Sequence, residues 1–362
     1  MKIFTCIGLC FVLFLTMFWM EPEVKYYVSY EVTWDSKVKG KGEIDPENTY
    51  YFNYYKIFYD DGEVIRIEDY CLGKLKNRYG GNAPISTFEY LSNNRIKIMC
   101  RDKDGNLVRG YYGYVYQIQE VDLKEKTKTE YYYDINGKGV VNSYGNYNTR
   151  YYFDDQGRTL KVEFLDKDGN LRELDSGIAM KTYSYDNGTT TLKHFGTDKK
   201  IKAKPDGIAQ FIIKRNENNQ IVEAKFLDVH SKLKNDPEGV AIYKYIWNDK
   251  GNLLEIQSYG EDGKLIRHSV AILKSEYNEK NQLIKAYYLD HNRNLNKNGR
   301  AIVLHKYNEK GQIIEIRILD YKKELIKEGP AIIERKYNEQ GQRIEEIYYN
   351  YRKEIIKHDK LD

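Results

Sequence analysis

A repeat of about 30 residues fills most of this 362-residue chain and limits what the chain can fold into. Successive copies begin with a Gly-x-Ala step or a close variant of it, spaced 30, 32, 30, 30 and 30 residues apart. These starts are Gly177, Gly207, Gly239, Ser269, Gly299 and Gly329. More degenerate copies begin near residues 49, 81, 113 and 145, so residues 49–362 hold about ten units. This period predicts a stack of small units in which each copy packs mainly on its neighbours.

Each copy contains two extended runs joined by an Asn/Asp-x-x-Gly tetrapeptide. In residues 299–328, for example, the run Ala301–Tyr307 precedes the tetrapeptide 308–311. The Asn or Asp side chain caps such a turn, and Gly accepts the positive φ that ends it. The repeat-turn glycines predicted in this way are Gly157, Gly251, Gly311 and Gly341. In other copies Asn, the best substitute at positive φ, takes the place of Gly; these positions are Asn219 and Asn281.

The second run of each copy alternates apolar and charged residues. Ile314, Ile316 and Ile318 point to one side of an extended chain, and Glu315 and Arg317 point to the other. A period of two indicates strands with one buried face and one solvent-exposed face. The sequence therefore predicts an all-β fold of tandem antiparallel β-hairpin repeats that form an elongated, coiled or rolled sheet. Residues 23–48 are predicted to form an N-terminal strand or cap segment.

The N-terminus has the pattern of an export signal. Lys2 precedes an unbroken apolar run, Ile3–Met20, which a charged segment follows. No small-x-small cleavage site precedes Glu21, so residues 1–22 are predicted to be either a signal peptide or a signal anchor held by residues 3–20. The remainder is expected outside the inner membrane, in the periplasm, at the cell surface or secreted.

Two cysteines, Cys71 and Cys100, lie in the part predicted to be exported. They are about one repeat apart, a spacing that would let them face each other on neighbouring units, where an oxidising compartment permits a disulfide. The alternative is two separate, half-buried thiols.

The composition and the motifs of the sequence argue against several classes of function. The formal net charge is only +4 and both signs are spread along the chain, which argues against a nucleic-acid partner. Two Asp-x-Asp-Gly-Asn segments, 102–106 and 166–170, resemble fragments of calcium loops but lack a suitably placed bidentate Glu, so ordinary turns are expected. His230, His291 and His305 are expected at the surface. We predict no cofactor, metal site or catalytic residue.

The tyrosine-rich sequence pattern around the turns resembles the YD (Rhs-type) repeats of bacterial surface and toxin proteins. The similarity covers most of the chain after about residue 50, and the segments that carry it are 151–160, 245–254, 307–314 and 337–341. This unit is longer than the usual YD unit and adds the Gly-x-Ala start. The resemblance implies an extracytoplasmic β-hairpin array, such as a rolled sheet or shell, and implies no catalytic residues.

Three functional hypotheses follow from the sequence. The first is a non-enzymatic, exported structural or interaction scaffold at the cell envelope or surface, with a protein or glycan partner. The second is a carbohydrate- or cell-wall-binding module that uses tyrosine platforms; candidate residues are Tyr287, Tyr288, Tyr348 and Tyr349. The third is an enzyme with a pocket in the degenerate N-terminal copies, which would require a cluster of charged residues buried in a cleft.

Overall fold

The computed structural model describes residues 22–46, 53–71, 74–76, 83–91, 94–267 and 270–360. These residues form 24 strands, all paired antiparallel in one open sheet, and no α-helix. The predicted all-β hairpin array is thus confirmed. No helix among the described residues is long and apolar enough to span a membrane. Of the predicted signal segment only Pro22 is described.

The strands of the N-terminal segment and the first copies are β1 (Glu23–Val32), β2 (Val38–Glu43), β3 (Tyr54–Asp60), β4 (Glu63–Cys71), β5 (Lys74–Leu75), β6 (Ile85–Leu91), β7 (Arg95–Arg101), β8 (Tyr116–Asp122), β9 (Thr127–Tyr133), β10 (Asn148–Phe153) and β11 (Thr159–Leu165). Those of the later copies are β12 (Met180–Asp186), β13 (Thr189–Phe195), β14 (Gln210–Arg215), β15 (Ile221–Leu227), β16 (Ile242–Trp247), β17 (Leu253–Tyr259), β18 (Ile272–Tyr277), β19 (Leu283–Leu289), β20 (Ile302–Tyr307), β21 (Ile313–Leu319), β22 (Ile332–Tyr337), β23 (Arg343–Tyr349) and β24 (Ile355–Lys360).

The pairing follows the chain. β1 lies between β2 and β3, β3 pairs with β4, and β4 pairs with β6. From β6 onward each strand pairs with the next, up to β23 with β24. Within a late hairpin the ladder has six residue pairs, as in β20–β21, but between hairpins it has only three, as in β19–β20. Successive hairpins are therefore staggered along the strand direction.

The turns follow the predicted chemistry. The Asn308 side-chain oxygen accepts the Gln312 N–H at 2.9 Å, and Gly311 has a φ of 81°. The second turn of the same copy begins at Asp320, whose carboxylate accepts the Lys322 N–H at 2.8 Å. The degenerate turns also reach positive φ, at 60° in Asn219 and Asn281.

The alanine of the Gly-x-Ala step explains the tight spacing of the copies. Six such alanines have no exposed surface: Ala179, Ala209, Ala241, Ala271, Ala301 and Ala331. Each is hydrogen-bonded to the strand that closes the same copy's hairpin; for example, the Ala301 N–H donates to the Leu319 carbonyl at 2.8 Å. Because the interior is close-packed, a larger side chain has no room at this junction.

The N-terminal segment is a hairpin that reaches beyond the first copy. β1 pairs with β3 from Glu23 to Tyr27, and the rest of the β1–β2 hairpin continues beyond this ladder. Tyr30 and Val38 pack on the first buried cluster, which contains Ile57 and Ile67. Trp34, at the tip of the hairpin, contacts the turn of a remote copy, where its ring centroid is 5.9 Å from that of Phe153.

Candidate functional site

A cavity lies beside the N-terminal hairpin, on the strands of the first copies. We call it the Gln119 cleft; its volume is about 270 Å³. Its aromatic lining residues are Tyr30, Tyr55, Phe88, Tyr111, Tyr112 and Tyr114. Its other side-chain walls include Val32, Ile67, Asp69, Ser86, Ile98, Cys100, Gln117 and Gln119.

The strand register puts the floor of the cleft on one face of the sheet. Directly opposite residues of antiparallel strands share a face. Phe88 of β6 lies opposite Ile98 of β7, and Ile98 lies opposite Gln117 of β8. Two residues further along β8 is Gln119, which therefore shares that face. Four strands of the degenerate N-terminal copies thus supply the floor, with β4 contributing Ile67.

Gln119 has a buried polar group without a partner. The residue is 3% exposed, and its amide nitrogen donates to a carboxylate oxygen of Glu130 at 3.3 Å. Its amide oxygen has almost no accessible surface and accepts no hydrogen bond from the described residues. Leaving a buried acceptor unpaired costs on the order of 1–3 kcal/mol.

Aromatic rings line the cleft in two groups. In one group, the rings of Tyr30 and Tyr55 meet edge to face with centroids 4.7 Å apart. In the other, Tyr112 and Tyr114 are stacked at 6.5 Å with an interplanar angle of 17°. Tyr111 adds a third ring to this group, 5.2 Å from Tyr112.

The electrostatics of the cleft favour binding over nucleophilic chemistry. Burial raises the pKa of Cys100 to about 11, so the thiol is neutral near pH 7 and a poor nucleophile. Burial also raises the pKa of Tyr114 well above its usual value. Asp69 is 8% exposed and carries the one formal charge among the described lining residues.

A buried charged cluster adjoins the floor, as the enzyme hypothesis requires. The Glu130 carboxylate lies 3.3 Å from the Lys128 ammonium and accepts the hydroxyls of Tyr132 at 3.1 Å and Tyr151 at 3.4 Å. The Tyr132 hydroxyl also lies 2.8 Å from that of Thr149. Because each of these groups is engaged by another, the cluster joins neighbouring hairpins and has the character of a structural network.

The predicted cysteine pair is not formed; both thiols are free. The register gives the reason. Cys100 lies opposite Ser86, which lies opposite Ile67, and Cys71 is four residues further along β4. Two strand spacings and four residues separate the Cα atoms by roughly 16 Å, whereas a disulfide needs about 4.4–6.8 Å. Cys100 instead packs into the cleft, where Gly110 leaves room for its sulfur, which lies 2.7 Å from the position of an added Cβ.

The predicted turn glycines all have positive φ, at 76°, 81°, 81° and 82° for Gly157, Gly251, Gly311 and Gly341. The calcium-like segments are turns of the same kind. Asp166 accepts the backbone N–H of Asn170 at 2.9 Å, so its carboxylate is already used by the turn. Among the described residues, no group of three or more His, Cys, Asp or Glu side chains is placed to hold a metal ion.

The tyrosines predicted as platforms are half-buried, and two of them bind carboxylates. The Tyr348 hydroxyl donates to Glu346 and the Tyr349 hydroxyl to Glu334, each at 2.9 Å. The exposed aromatic patch lies elsewhere, in two turns of the degenerate copies: Tyr111, Tyr112 and Tyr144 are 56%, 45% and 56% exposed. The sequence signal for this patch was the pair of turn sequences Gly-Tyr-Tyr-Gly and Ser-Tyr-Gly, because a tyrosine within a tight turn cannot pack under the sheet.

Comparison with known proteins gives no family assignment. No protein-family model matches the chain, and no curated protein matches it. Among solved structures, a chain of the crystal structure of TcdB2-TccC3-Cdc42 aligns at 13% identity and a TM-score of 0.27, over 82% of this chain and 17% of that chain. A chain of TcdB2-TccC3-TEV aligns at 11% identity and a TM-score of 0.24, over 88% of this chain and 20% of that chain.

A third solved structure, described as a eukaryotic initiation factor, aligns at 9% identity and a TM-score of 0.26, over 94% of this chain and 96% of its own length. The chain spans a fifth or less of the first two structures. Scores at this level carry no functional conclusion.

Proposed function

We propose that this protein is an exported, non-enzymatic repeat protein of the YD/Rhs-like type that serves as a structural or interaction scaffold at the cell envelope or surface. The observation that carries the proposal is the bonding between copies. In the later copies, buried alanines and tyrosine hydroxyls join a hairpin to the one before it, so these copies present one continuous surface. Its partner is a protein or glycan of the envelope. A nucleic-acid partner is not favoured, because the sequence has no one-sided basic stripe.

The absence of enzymatic activity is supported by the state of the reactive groups. The Cys100 thiol is protonated near neutral pH, and the Glu130 carboxylate is held by four neighbours. A reacting group needs a pKa near the working pH and access to substrate. These groups stabilise the hairpins on which the cleft is built.

Export is the part of the proposal that one experiment can decide. A periplasmic reporter fused after residue 25 is expected to be active, because Lys2 and the Ile3–Met20 run direct translocation. Edman sequencing of the exported product distinguishes a cleaved signal from an anchor. A reporter that is active only in the cytoplasm would refute export and, with it, the envelope scaffold.

Carbohydrate or cell-wall binding is the second candidate, favoured by the exposed tyrosine patch of Tyr111, Tyr112 and Tyr144. Sugar rings stack on such faces through their C–H groups. A peptidoglycan pull-down or glycan array with the wild type and the Y111S/Y112S/Y144S variant tests it. Saturable binding that this variant loses, and that a Tyr321→Ser control at another exposed turn keeps, would favour this candidate over the scaffold.

A further inference from the structure

We propose that a pocket on the late copies binds a free single-chain amphiphilic anion, in which one alkyl chain carries an anionic head group such as a carboxylate. The pocket lies between the hairpins β18–β19 and β20–β21, and we call it the Lys285 pocket. Its volume of about 510 Å³ is that of a site for one small molecule. The inference goes beyond the proposed function, because neither the scaffold nor the sugar-binding candidate requires such a ligand.

The floor of the pocket is apolar at two positions where the neighbouring copies are polar. Tyr287 and Leu304 lie on one face of the sheet and line the pocket. In the flanking copies the same repeat positions hold Gln257, Lys274, Arg317 and Glu334. The packing of the repeat therefore does not require apolar side chains there. A local apolar patch of this kind is typical of a binding site.

The apolar floor is held in place by the packed sheet. Tyr287 and Leu295 pack against a buried cluster that contains Ile272 and Leu289. Ile302, opposite Tyr287 in the ladder, is 2% exposed and also lines the pocket. The floor is therefore preformed, and covering it with an alkyl chain removes apolar surface from water on both sides.

Positive charge surrounds this floor. The cationic lining residues are Lys274, Lys285, Arg293 and Lys323. Glu276 is the one carboxylate among the described lining residues, and it lies opposite Lys285. Glu255, outside the lining, is 3.1 Å from Arg293 and lies opposite Lys274. Even with both carboxylates counted, the four cations leave an excess of two positive charges.

These charges are accessible to a ligand. Lys274, Arg293 and Lys323 are exposed. The Lys285 ammonium lies 4.6 Å from the Tyr287 ring centroid, so it is held over the floor by the face of the ring. An anionic head group can therefore pair with these cations while its alkyl chain covers Tyr287 and Leu304. A cationic amphiphile would be repelled, and a small inorganic anion would leave the apolar floor in water.

The decisive probes are decanoate, decyl glucoside and decyltrimethylammonium, which share one alkyl chain and differ in charge. Isothermal titration of the full chain, below the micelle concentration of each probe, is expected to show decanoate binding at least about tenfold tighter than the other two. Acetate, which lacks the chain, should bind far more weakly than decanoate. Equal affinities for the three alkyl probes, or acetate binding as tightly as decanoate, would overturn the inference.

A matched pair of glycine variants tests the contribution of charge. Lys323 has a φ of 67°, so Lys323→Gly removes a pocket cation at a position that suits glycine. Lys353→Gly makes the same change at the corresponding turn of the last copy, where φ is 64° and the residue does not line the pocket. Decanoate affinity should fall several-fold in the first variant and stay at the wild-type value in the second. Binding of decanoate to the apolar run 3–20 cancels in this comparison, since both variants contain that run. Equal affinities in the two variants would contradict the assignment.

The contribution of the floor is tested by Leu304→Gln, with Ile344→Gln at an exposed apolar position outside the pocket as its control. Decanoate affinity should fall several-fold in Leu304→Gln and stay unchanged in Ile344→Gln. A loss in Lys323→Gly without one in Leu304→Gln would show that the site takes a plain anion. Phosphatidylglycerol vesicles test whether the same cations serve a membrane surface instead. Co-sedimentation that Lys323→Gly abolishes, without binding of decanoate, would overturn the proposal of a free ligand.

Discussion

The hydroxyl of Tyr307 donates a hydrogen bond to the backbone carbonyl of Leu283, 24 residues earlier, at 2.8 Å. The ladder between their hairpins runs only from Lys285 to Tyr287 on β19, so Leu283 lies beyond its end. The tyrosine that precedes the turn asparagine thus extends the pairing by one bond to the previous copy. Equivalent bonds of 2.8–3.0 Å are made by Tyr90, Tyr185, Tyr277, Tyr337 and, through its indole N–H, Trp247.

Tyr307→Phe tests the hydrogen bond from Tyr307 to the Leu283 carbonyl. Removing the hydroxyl leaves the ring in place and takes away one hydrogen bond to the Leu283 carbonyl, so we expect a loss of about 1 kcal/mol in the free energy of unfolding. Faster amide exchange should be confined to the β19–β20 junction. Tyr321→Phe, at an exposed turn, should stay within about 0.5 kcal/mol of the wild type. Equal effects of the two substitutions in urea unfolding would show that the hydroxyl contributes nothing.

Trp34 and Gly157 form a contact between the N-terminal hairpin and the turn of the copy that follows the cleft floor. A Cβ added to Gly157 would lie 2.8 Å from the Trp34 Cδ1, whereas one added to Gly169 has nothing within 4 Å. Both glycines have positive φ, at 76° and 86°. Gly169→Ala should therefore cost only the backbone strain, about 1–2 kcal/mol, and Gly157→Ala should cost about 1 kcal/mol more.

The Trp34→Ala background separates the two contributions in a double-mutant cycle. There, Gly157→Ala and Gly169→Ala should cost the same, because only the strain remains. If the excess cost at Gly157 survives the loss of Trp34, the indole does not pack on that turn.

The repeat itself was predictable because its chemistry is local. An Asn or Asp cap followed by a residue with positive φ predicts a hairpin wherever it occurs, and Gly311 and Asn281 follow the same rule. The strand faces were predictable from the period of two.

The cleft was not predictable, because it depends on how remote copies are brought together. Periodicity assigns Gln117 and Gln119 to one face, but nothing in their spacing reveals that Tyr30 of the N-terminal hairpin lies over that face. The error at Cys71 and Cys100 has the same origin. A separation of one repeat suggests neighbouring positions, whereas the register offsets them by four residues along the strand.

Ala271→Leu tests the junction between copies. Ala271 has no exposed surface, and its N–H and carbonyl are bonded to Leu289 and Ser258 at 2.9 and 2.8 Å. Overpacking at such a site is expected to cost about 1–3 kcal/mol. Ala203→Leu, at a half-buried position, is the control and should cost less. Tolerance of leucine at Ala271 would mean that the hairpins are packed more loosely than the structure indicates.

His194 gives the array a predictable loss of stability in acid. It is 3% exposed, and its ring meets that of Phe211 edge to face at 5.5 Å. Burial, with a smaller contribution from Lys181 and Lys204, lowers its pKa from 6.5 to about 4. The folded state therefore favours the neutral ring, whereas the unfolded chain takes up a proton near pH 6.5. The contribution of His194 to stability is complete above pH 6.5 and is lost as the pH falls toward 4.

Each pKa unit corresponds to about 1.4 kcal/mol, so this loss approaches roughly 3 kcal/mol at the acid end of the window. Acidic side chains also titrate below pH 5, so the comparison must be made with a variant that lacks only this proton site. His194→Gln should show a pH profile of urea midpoints that is flatter than the wild type between pH 6.5 and 4. Parallel profiles for His194→Gln and the wild type would mean that His194 takes up its proton as easily in the folded sheet as in the unfolded chain.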